Sequence, residues 1–220
     1  MKKKVVAMIP VKLNNERLPG KNTKILGDKP LCAYLFDTVL KTKNVDEIYV
    51  FCSNDSFREY VPEGIHFLKR PAELDQPQVK GLQIVDYFVN TVDADIYALM
   101  HVTQPFITAE TIDAAVAEVV GGAYDSAIAA KEVKEYLWYK GEPVNYNPGD
   151  IARTQDLVPA YIESELFVFE KDVFVKHGRR IGFKPYIHGI DWKQAVSIDT
   201  PEDFEMARAV VAMEKSDLEG

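Results

Sequence analysis

KVVAMIPVKLNNERLPGKN, residues 4–22, is the stretch that decides how this chain is read. Residues 4–10, apolar from Val5 on, read as a buried β-strand, and Pro10, with no N–H for a sheet ladder, is placed to end it. The loop that follows carries Lys12, Arg17 and Lys21, with Lys24 just beyond, while Gly20 and Asn22 supply backbone that can turn. PLCAYLFDTVL then begins a helix. A strand, a basic loop and a helix N-terminus can together hold a polyphosphate, because backbone N–H groups, side-chain cations and the helix dipole converge there. A solvated surface loop would carry the same cations. The spacing matches neither of the common Gly-rich phosphate motifs, so the pattern alone gives no name.

Outward from this stretch, 220 residues suit one domain with a sizeable core. Hydrophobic residues at 47% and charged residues at 27% are ordinary for a soluble globular chain. The net charge of −8, with no basic block to offset it, argues against nucleic acid or an acidic membrane as partner. Any anion site must be local, as the opening loop is. Cys32 and Cys52 fall in a predicted helix and strand, have no metal-ligand spacing, and are expected to be reduced core residues. The apolar run at the start is short and broken by Pro10 and Lys12, and no other run is long enough to cross a bilayer. A cytoplasmic location is expected.

Further strands are predicted at 47–53, 65–68 and 95–101. Between them, Leu31, Tyr34, Leu35 and Val39 mark a helix over 30–42, SNDSFREY a short capped helix, and Leu82, Val85, Val89 and Val92 a helical stripe over 79–92. Thr108 caps another helix, with Ile112, Ala115, Val116, Val119 and Val120 on one face. Such alternation predicts an α/β fold with a mostly parallel central sheet covered by helices on both sides. After residue 121 the pattern shifts to a strand, a hairpin around Lys140-Gly141, a loop through IARTQDLVPAY, a strand at LFVFEK, and a basic, aromatic loop FVKHGRRIGFKPYIHGI that leads into another strand. Trp138, Tyr139, Phe183 and Tyr186 in this region would favour an interface if exposed. In AVSIDTPEDF, Thr200, Pro201 and Asp203 form a helix-start signal, with Asp199 placed at a strand end. A strand-end carboxylate facing a basic phosphate loop suits Mg²⁺, which takes few carboxylates and shares its shell with substrate phosphates; the same residue would also serve as a helix cap. His101, at the end of DIYALMH, is placed to hydrogen-bond a substrate or to accept a proton, though a strand-end histidine is often structural.

IPVKLNNERLPGKN resembles, without a gap, the opening motif I-P-A-R-x-G-S-x-R-x-P-x-K-N of the CMP-sugar synthetases, the group that includes acylneuraminate and Kdo cytidylyltransferases. Arg17, Pro19, Lys21 and Asn22 fall on the motif, Lys12 stands for its first arginine, and Asn14 and Asn15 lie near its Gly-Ser pair. Arg70 in KRPAEL is similar to an R-P-x-x-L loop, LMHVTQPFIT to the loop facing the sugar, and SIDTPED to D-I-D-T-P-E-D. The resemblance implies a Rossmann-like nucleotidyltransferase fold over 1–220, with about 132–190 containing a hairpin and loop extension that forms a homodimer. It implies an enzyme that joins CTP to a sialic-acid-like 2-keto-3-deoxy sugar acid, releasing pyrophosphate, with Mg²⁺ as cofactor.

By the same resemblance Lys12, Asn15, Arg17, Lys21, Asn22 and Arg70 bind the nucleotide; Lys21, Arg17 and Asp199 serve the chemistry; and Asp199 holds the metal. His101, Gln104, Arg153 and Ser164 are expected to bind the sugar, with Arg179 and Arg180 as further sources of charge. The departures are specific. Ser197 stands where the family has its first metal-binding aspartate, and Ile162, Ser164 and Glu165 replace the Arg, Asn and Gly of P-x-x-R-x-N-G, which weighs against N-acetylneuraminate itself. Two other readings therefore stay open: a nucleotidyltransferase for a different sugar or polyol phosphate, and a nucleotide-binding module with reduced or lost turnover.

Overall fold

Short apolar runs make the strands and wider amphipathic stripes the helices. The computed structural model describes residues 2–219. In chain order its elements are β1 (Val5–Val11), β2 (Ile25–Leu26), β3 (Lys29–Pro30), α1 (Leu31–Val39), β4 (Glu47–Cys52), β5 (His66–Lys69), α2 (Gly81–Thr91), β6 (Ile96–Leu99), α3 (Ala109–Val120) and β7 (Ser126–Val133). β8 (Trp138–Tyr139), β9 (Glu142–Pro143), β10 (Ala160–Glu170), α4 (Lys171–His177), β11 (Pro185–Ile190) and α5 (Pro201–Glu219) follow. Seven strands form the main sheet, in the order β11-β7-β10-β6-β1-β4-β5. All neighbours are parallel except β10, which runs antiparallel to both β6 and β7. The N-terminal end of β10 therefore lies at the same sheet edge as the C-terminal ends of β1, β6 and β7, the edge where ligands of open α/β sheets bind.

The period-2 alternation of β1 sends its side chains to two cores. Val5, Ala7, Ile9 and Val11 pack with Leu35 and Phe36 of α1 and Ile112 and Val116 of α3. Val6 and Met8 pack with Val85, Phe88 and Val89 of α2 and Phe174 of α4. A third cluster joins Leu18 of the opening loop, Leu26 and Leu31 to Ile198 and to Phe204 and Val210 of α5. This cluster fastens the basic loop to the segment that carries Asp199.

The caps predicted at Thr108 and Thr200 form. The Thr108 hydroxyl accepts from Thr111 N at 3.2 Å. At α5, Thr200 Oγ1 accepts from Asp203 N at 3.3 Å, and Asp203 Oδ2 accepts from Thr200 N at 2.8 Å and from Asp199 N at 3.0 Å. The cap thus also pins the backbone of Asp199. The hairpin at Lys140-Gly141 is present too: φ is 51° at Lys140 and 85° at Gly141, the doubly positive turn that matches strand twist.

The structure corrects the chain reading in three places. FVKH is not loop; it belongs to α4, which is too short to show a helical stripe and buries Val173 and Phe174. The stretch before Asp199 is not a strand and lies outside the sheet, held by Ile198 N donating to Thr103 O at 2.9 Å. Tyr186 is partly buried, its ring centroid 5.1 Å from that of Tyr124, whereas Trp138, Tyr139 and Phe183 are exposed. Of residues 132–190, β10 and β11 lie in the main sheet, and the hairpin β8–β9 stands apart as its own two-stranded ribbon. Cys32 and Cys52 are buried free thiols. Among the described residues, no helix is long and apolar enough to cross a membrane.

Candidate active site

Gly20, at φ 67°, turns the basic loop into a single 3-10 turn over Lys21–Thr23. The left-handed backbone there suits glycine, and the turn drives Lys21 and Asn22 inward to 7% and 4% exposure. A buried lysine needs a partner, and Lys21 finds one at the far end of the chain. Its Nζ donates to Asp199 Oδ1 at 2.8 Å and to Ile198 O at 2.7 Å. Arg17 Nη2 lies 3.0 Å from the other oxygen, Asp199 Oδ2. Partial burial works to raise the Asp199 pKa, but the hydrogen bond and charge of Lys21, with Arg17 behind it, hold it below the ordinary carboxylate value.

Asn22 Nδ2 donates to Lys12 O at 2.7 Å, which fixes the amide. Its Oδ1 is buried with no hydrogen-bond partner among the described residues, and Asn15 Oδ1 is in the same condition. Buried acceptors left open at one site point to a donor or a cation supplied by a ligand. Lys12, Asn15, Lys21, Asn22, His101 and Asp199 border one cavity of about 230 Å³. Beside it, Lys12, Asn15, Arg17, Lys21 and Asp199 also line a larger cleft of about 490 Å³ that reaches Asp75 and Gln76.

Arg70 is 2% exposed and packs beneath the opening loop. Its Nη2 donates to Val11 O at 3.0 Å and to Asp75, and Nη1 lies 3.5 Å from Phe51 O. It still borders a smaller hollow of about 180 Å³, with Lys12, His101 and Arg180. Arg180 reaches this hollow from the α4–β11 loop of its own chain, stacked 3.6 Å from the Phe167 ring centroid and 3.4 Å from Glu163 Oε1.

The expected sugar contacts divide. His101 lies at the meeting of the cavities; burial lowers its pKa, Glu165 works against that, and Arg180 and Lys21 add to it. Gln104 is 2% exposed and structural in its bonding: Nε2 donates to Gln194 O at 2.7 Å and Oε1 accepts from Glu165 N at 3.1 Å. Arg153 is exposed and bonded to Asp156 Oδ2 at 2.8 Å. Ser164 is in an irregularity of β10, where Ser164, Glu165 and Leu166 stand between the pairs Glu163↔Ala130 and Phe167↔Ile128.

Glu165, noted in the sequence only as a departure from the resembling motif, is the cavity residue that sequence reasoning did not place in the site. The bulge turns its side chain to the cavity, where it accepts from the hydroxyls of Thr103 and Ser197. The signal available was a carboxylate at a position where the resembling motif has glycine. Among the described residues no group of three or more His, Cys, Asp or Glu side chains is placed to hold a metal. What borders the cavity instead is an oxygen donor set, the Asp199 and Glu165 carboxylates with the open Oδ1 atoms of Asn15 and Asn22, of the kind a hard cation accepts when phosphate oxygens complete its shell.

A family model described as "Cytidylyltransferase" matches residues 6–219. The N-acylneuraminate cytidylyltransferase of Streptococcus agalactiae serotype III (strain NEM316) is 25% identical over 91% of this chain and 52% of its own length. The chain thus spans about half the length of the first such curated relatives it matches. A CMP-N,N'-diacetyllegionaminic acid synthase from Legionella pneumophila (strain Philadelphia 1) is 20% identical over 98% of this chain and 99% of its own. Among solved structures, a CMP:2-keto-3-deoxy-manno-octonic acid synthetase complexed with CTP superposes with a TM-score of 0.72 at 17% identity, over 96% of this chain and 99% of that one.

Proposed function

Since the chain belongs to the cytidylyltransferase family, we propose that it transfers the cytidylyl group of CTP to a hydroxyl of an acidic sugar. The observation that carries this reading is the Arg17–Asp199–Lys21 constellation, a basic loop and a carboxylate joined across one cleft. The acceptor is a sialic-acid-like 2-keto-3-deoxy sugar acid, in keeping with the names of the similar proteins.

The sugar hydroxyl oxygen forms a bond to the α-phosphorus of CTP, the bond from that phosphorus to the bridging oxygen breaks, pyrophosphate leaves, and the hydroxyl proton passes to base or solvent. Such a reaction asks mainly for positioning and charge neutralisation. Lys12, Arg17 and Lys21 receive the phosphates, and the open acceptors of Asn15 and Asn22 take hydrogen bonds or a cation. Mg²⁺, held by Asp199, would supply further charge neutralisation at the phosphate oxygens. His101 and Arg180 meet the acceptor, with Arg180 offering a guanidinium to a carboxylate. The exposed Trp138, Tyr139 and Phe183, with Ile151 and Val158 nearby in the chain, support assembly as a homodimer.

The test is pyrophosphate release from CTP and Mg²⁺ across a panel of sialic-acid-like sugars and Kdo. Release with one sugar, abolished in Asp199→Asn, is expected. A strong preference for UTP over CTP would overturn the cytidylyl assignment.

A further inference from the structure

Glu165 plays no part in the transfer just described, yet it occupies the wall of the same cavity as Lys21, Asn22, His101 and Asp199. Its position is built. Gln104 is buried and spends its carbonyl oxygen on Glu165 N, which fixes the backbone inside the β10 bulge. Thr103 and Ser197 then each donate a hydroxyl hydrogen bond to one carboxylate oxygen. These donors are neutral, so they orient the carboxylate without cancelling its charge.

Ser197 links this carboxylate to Asp199. In 196–199, buried Val196 and Ile198 alternate with half-buried Ser197 and Asp199, so the latter two side chains leave the segment on the same side. Ser197 spends its hydroxyl on Glu165 Oε1. The Glu165 carboxylate therefore sits within one hydrogen bond of the residue two before Asp199, over the same cavity. The second sign of a ligand is Asn22: it is 4% exposed, borders that cavity, and has a buried Oδ1 without a partner among the described residues.

We propose that Glu165 and Asp199 together form the divalent-cation site for the substrate polyphosphate, with Asn22 Oδ1 as a neutral oxygen beside them. The proposal rests on the reading that the chain binds a nucleoside triphosphate. Two carboxylates from different strands of chain, completed by phosphate oxygens, are what a hard, small cation accepts. Lys21 and Arg17 hold Asp199 in place until phosphates offer those cations a second anion. Glu165 then provides the negative charge that Ser197, a hydroxyl, cannot.

The test is thermodynamic linkage rather than turnover. CTP affinity of the full chain is measured in EDTA and in saturating Mn²⁺, for wild type, Glu165→Gln and Glu165→Gln/Ser197→Asp. In wild type, Mn²⁺ is expected to tighten CTP binding by about tenfold or more, the scale of effects seen at metal-supporting positions. Glu165→Gln should lose most of that gain, while in EDTA it should bind CTP no more weakly than wild type, because the substitution removes a negative charge beside the phosphates. Moving the carboxylate next door, in the double variant, should restore the gain, and that comparison stands even if the single variant is poorly folded. A full Mn²⁺ gain in Glu165→Gln would overturn the proposal and leave the nucleotide reading standing. No CTP binding by wild type under either condition would remove the nucleotide reading, and this site with it.

Discussion

Lys21 and Asp199, 178 positions apart in the chain, meet at 2.8 Å across the mouth of the proposed phosphate cleft. Because Lys21 is buried and Asp199 is 40% exposed, the pair is anchored from the lysine side. The contact closes the chain on itself and gives both residues a fixed address before any ligand arrives.

That geometry predicts an acid-side titration. The folded-state pKa of Asp199 is depressed, so its contribution to stability is present above the unfolded carboxylate value, about 3.9, and is lost as pH falls through the lower folded value. In Lys21→Met the folded value should move up toward the ordinary range, because the first favourable partner is gone while burial remains. Carboxyl carbon chemical shifts followed from pH 6 to pH 2 in both proteins would show this, and coincident titrations would contradict it.

Lys21→Met should also weaken CTP binding more than Lys24→Met. Both variants lose one positive charge, but only Lys21 lines the cleft with Asp199. Loss of a charge-assisted bond costs about 1.5–3 kcal/mol, or roughly tenfold or more in affinity. Equal weakening by the two would mean that only overall charge matters.

Arg70 predicts a stability effect. Its guanidinium ties β1 and β4 together through Val11 O and Phe51 O and holds Asp75. Arg70→Met should lower unfolding stability by about 3 kcal/mol, the lower end for breaking a buried pair because Asp75 retains some access to water. Urea denaturation reads this directly, and a shift below about 0.5 kcal/mol would place Arg70 among the ordinary surface cations.

The thiols give a check on the fold itself. Burial pushes Cys32 up to about 12 and also raises Cys52. At pH 8 the Cys32 thiolate fraction would be on the order of 10⁻⁴, so alkylation should be negligible in the native protein and prompt in denaturant. Rapid native labelling of Cys32 would contradict the packing of α1 against the sheet.

Oligomeric state is predicted as well. Light scattering after gel filtration should give twice the chain mass, and Trp138→Ser with Tyr139→Ser should shift the population toward monomer, since both side chains are exposed in the single chain. An unchanged mass in the double variant would place the interface elsewhere.

The elements legible in the sequence were those whose periodicity survives folding. β1, β4 and β6 are buried on both faces and so read as continuous apolar runs, while Thr108 and Thr200 announce their helices through local hydrogen bonds. α4 was illegible because seven residues with a buried Val173 and Phe174 show no repeat. Glu165 was legible as a departure from the motif, but not its place in the cavity, because alternation assumes regular pairing and at the bulge three residues face one position of the partner strand. Arg70 was legible as a residue of interest, but its burial depends on carbonyls brought from β1 and β4, which no local window contains.

The reversed direction of β10 has a consequence for how this molecule can diversify. Because that strand enters the sheet at the edge where the C-terminal ends of β1, β6 and β7 lie, the whole excursion between β7 and β10 hangs from that edge, while the loop after β1 lies in a different, earlier length of chain. The two lengths of chain are therefore separable: residues between Val133 and Ala160 supply no part of the Lys21–Asp199 clasp, so a change of length there should leave it intact.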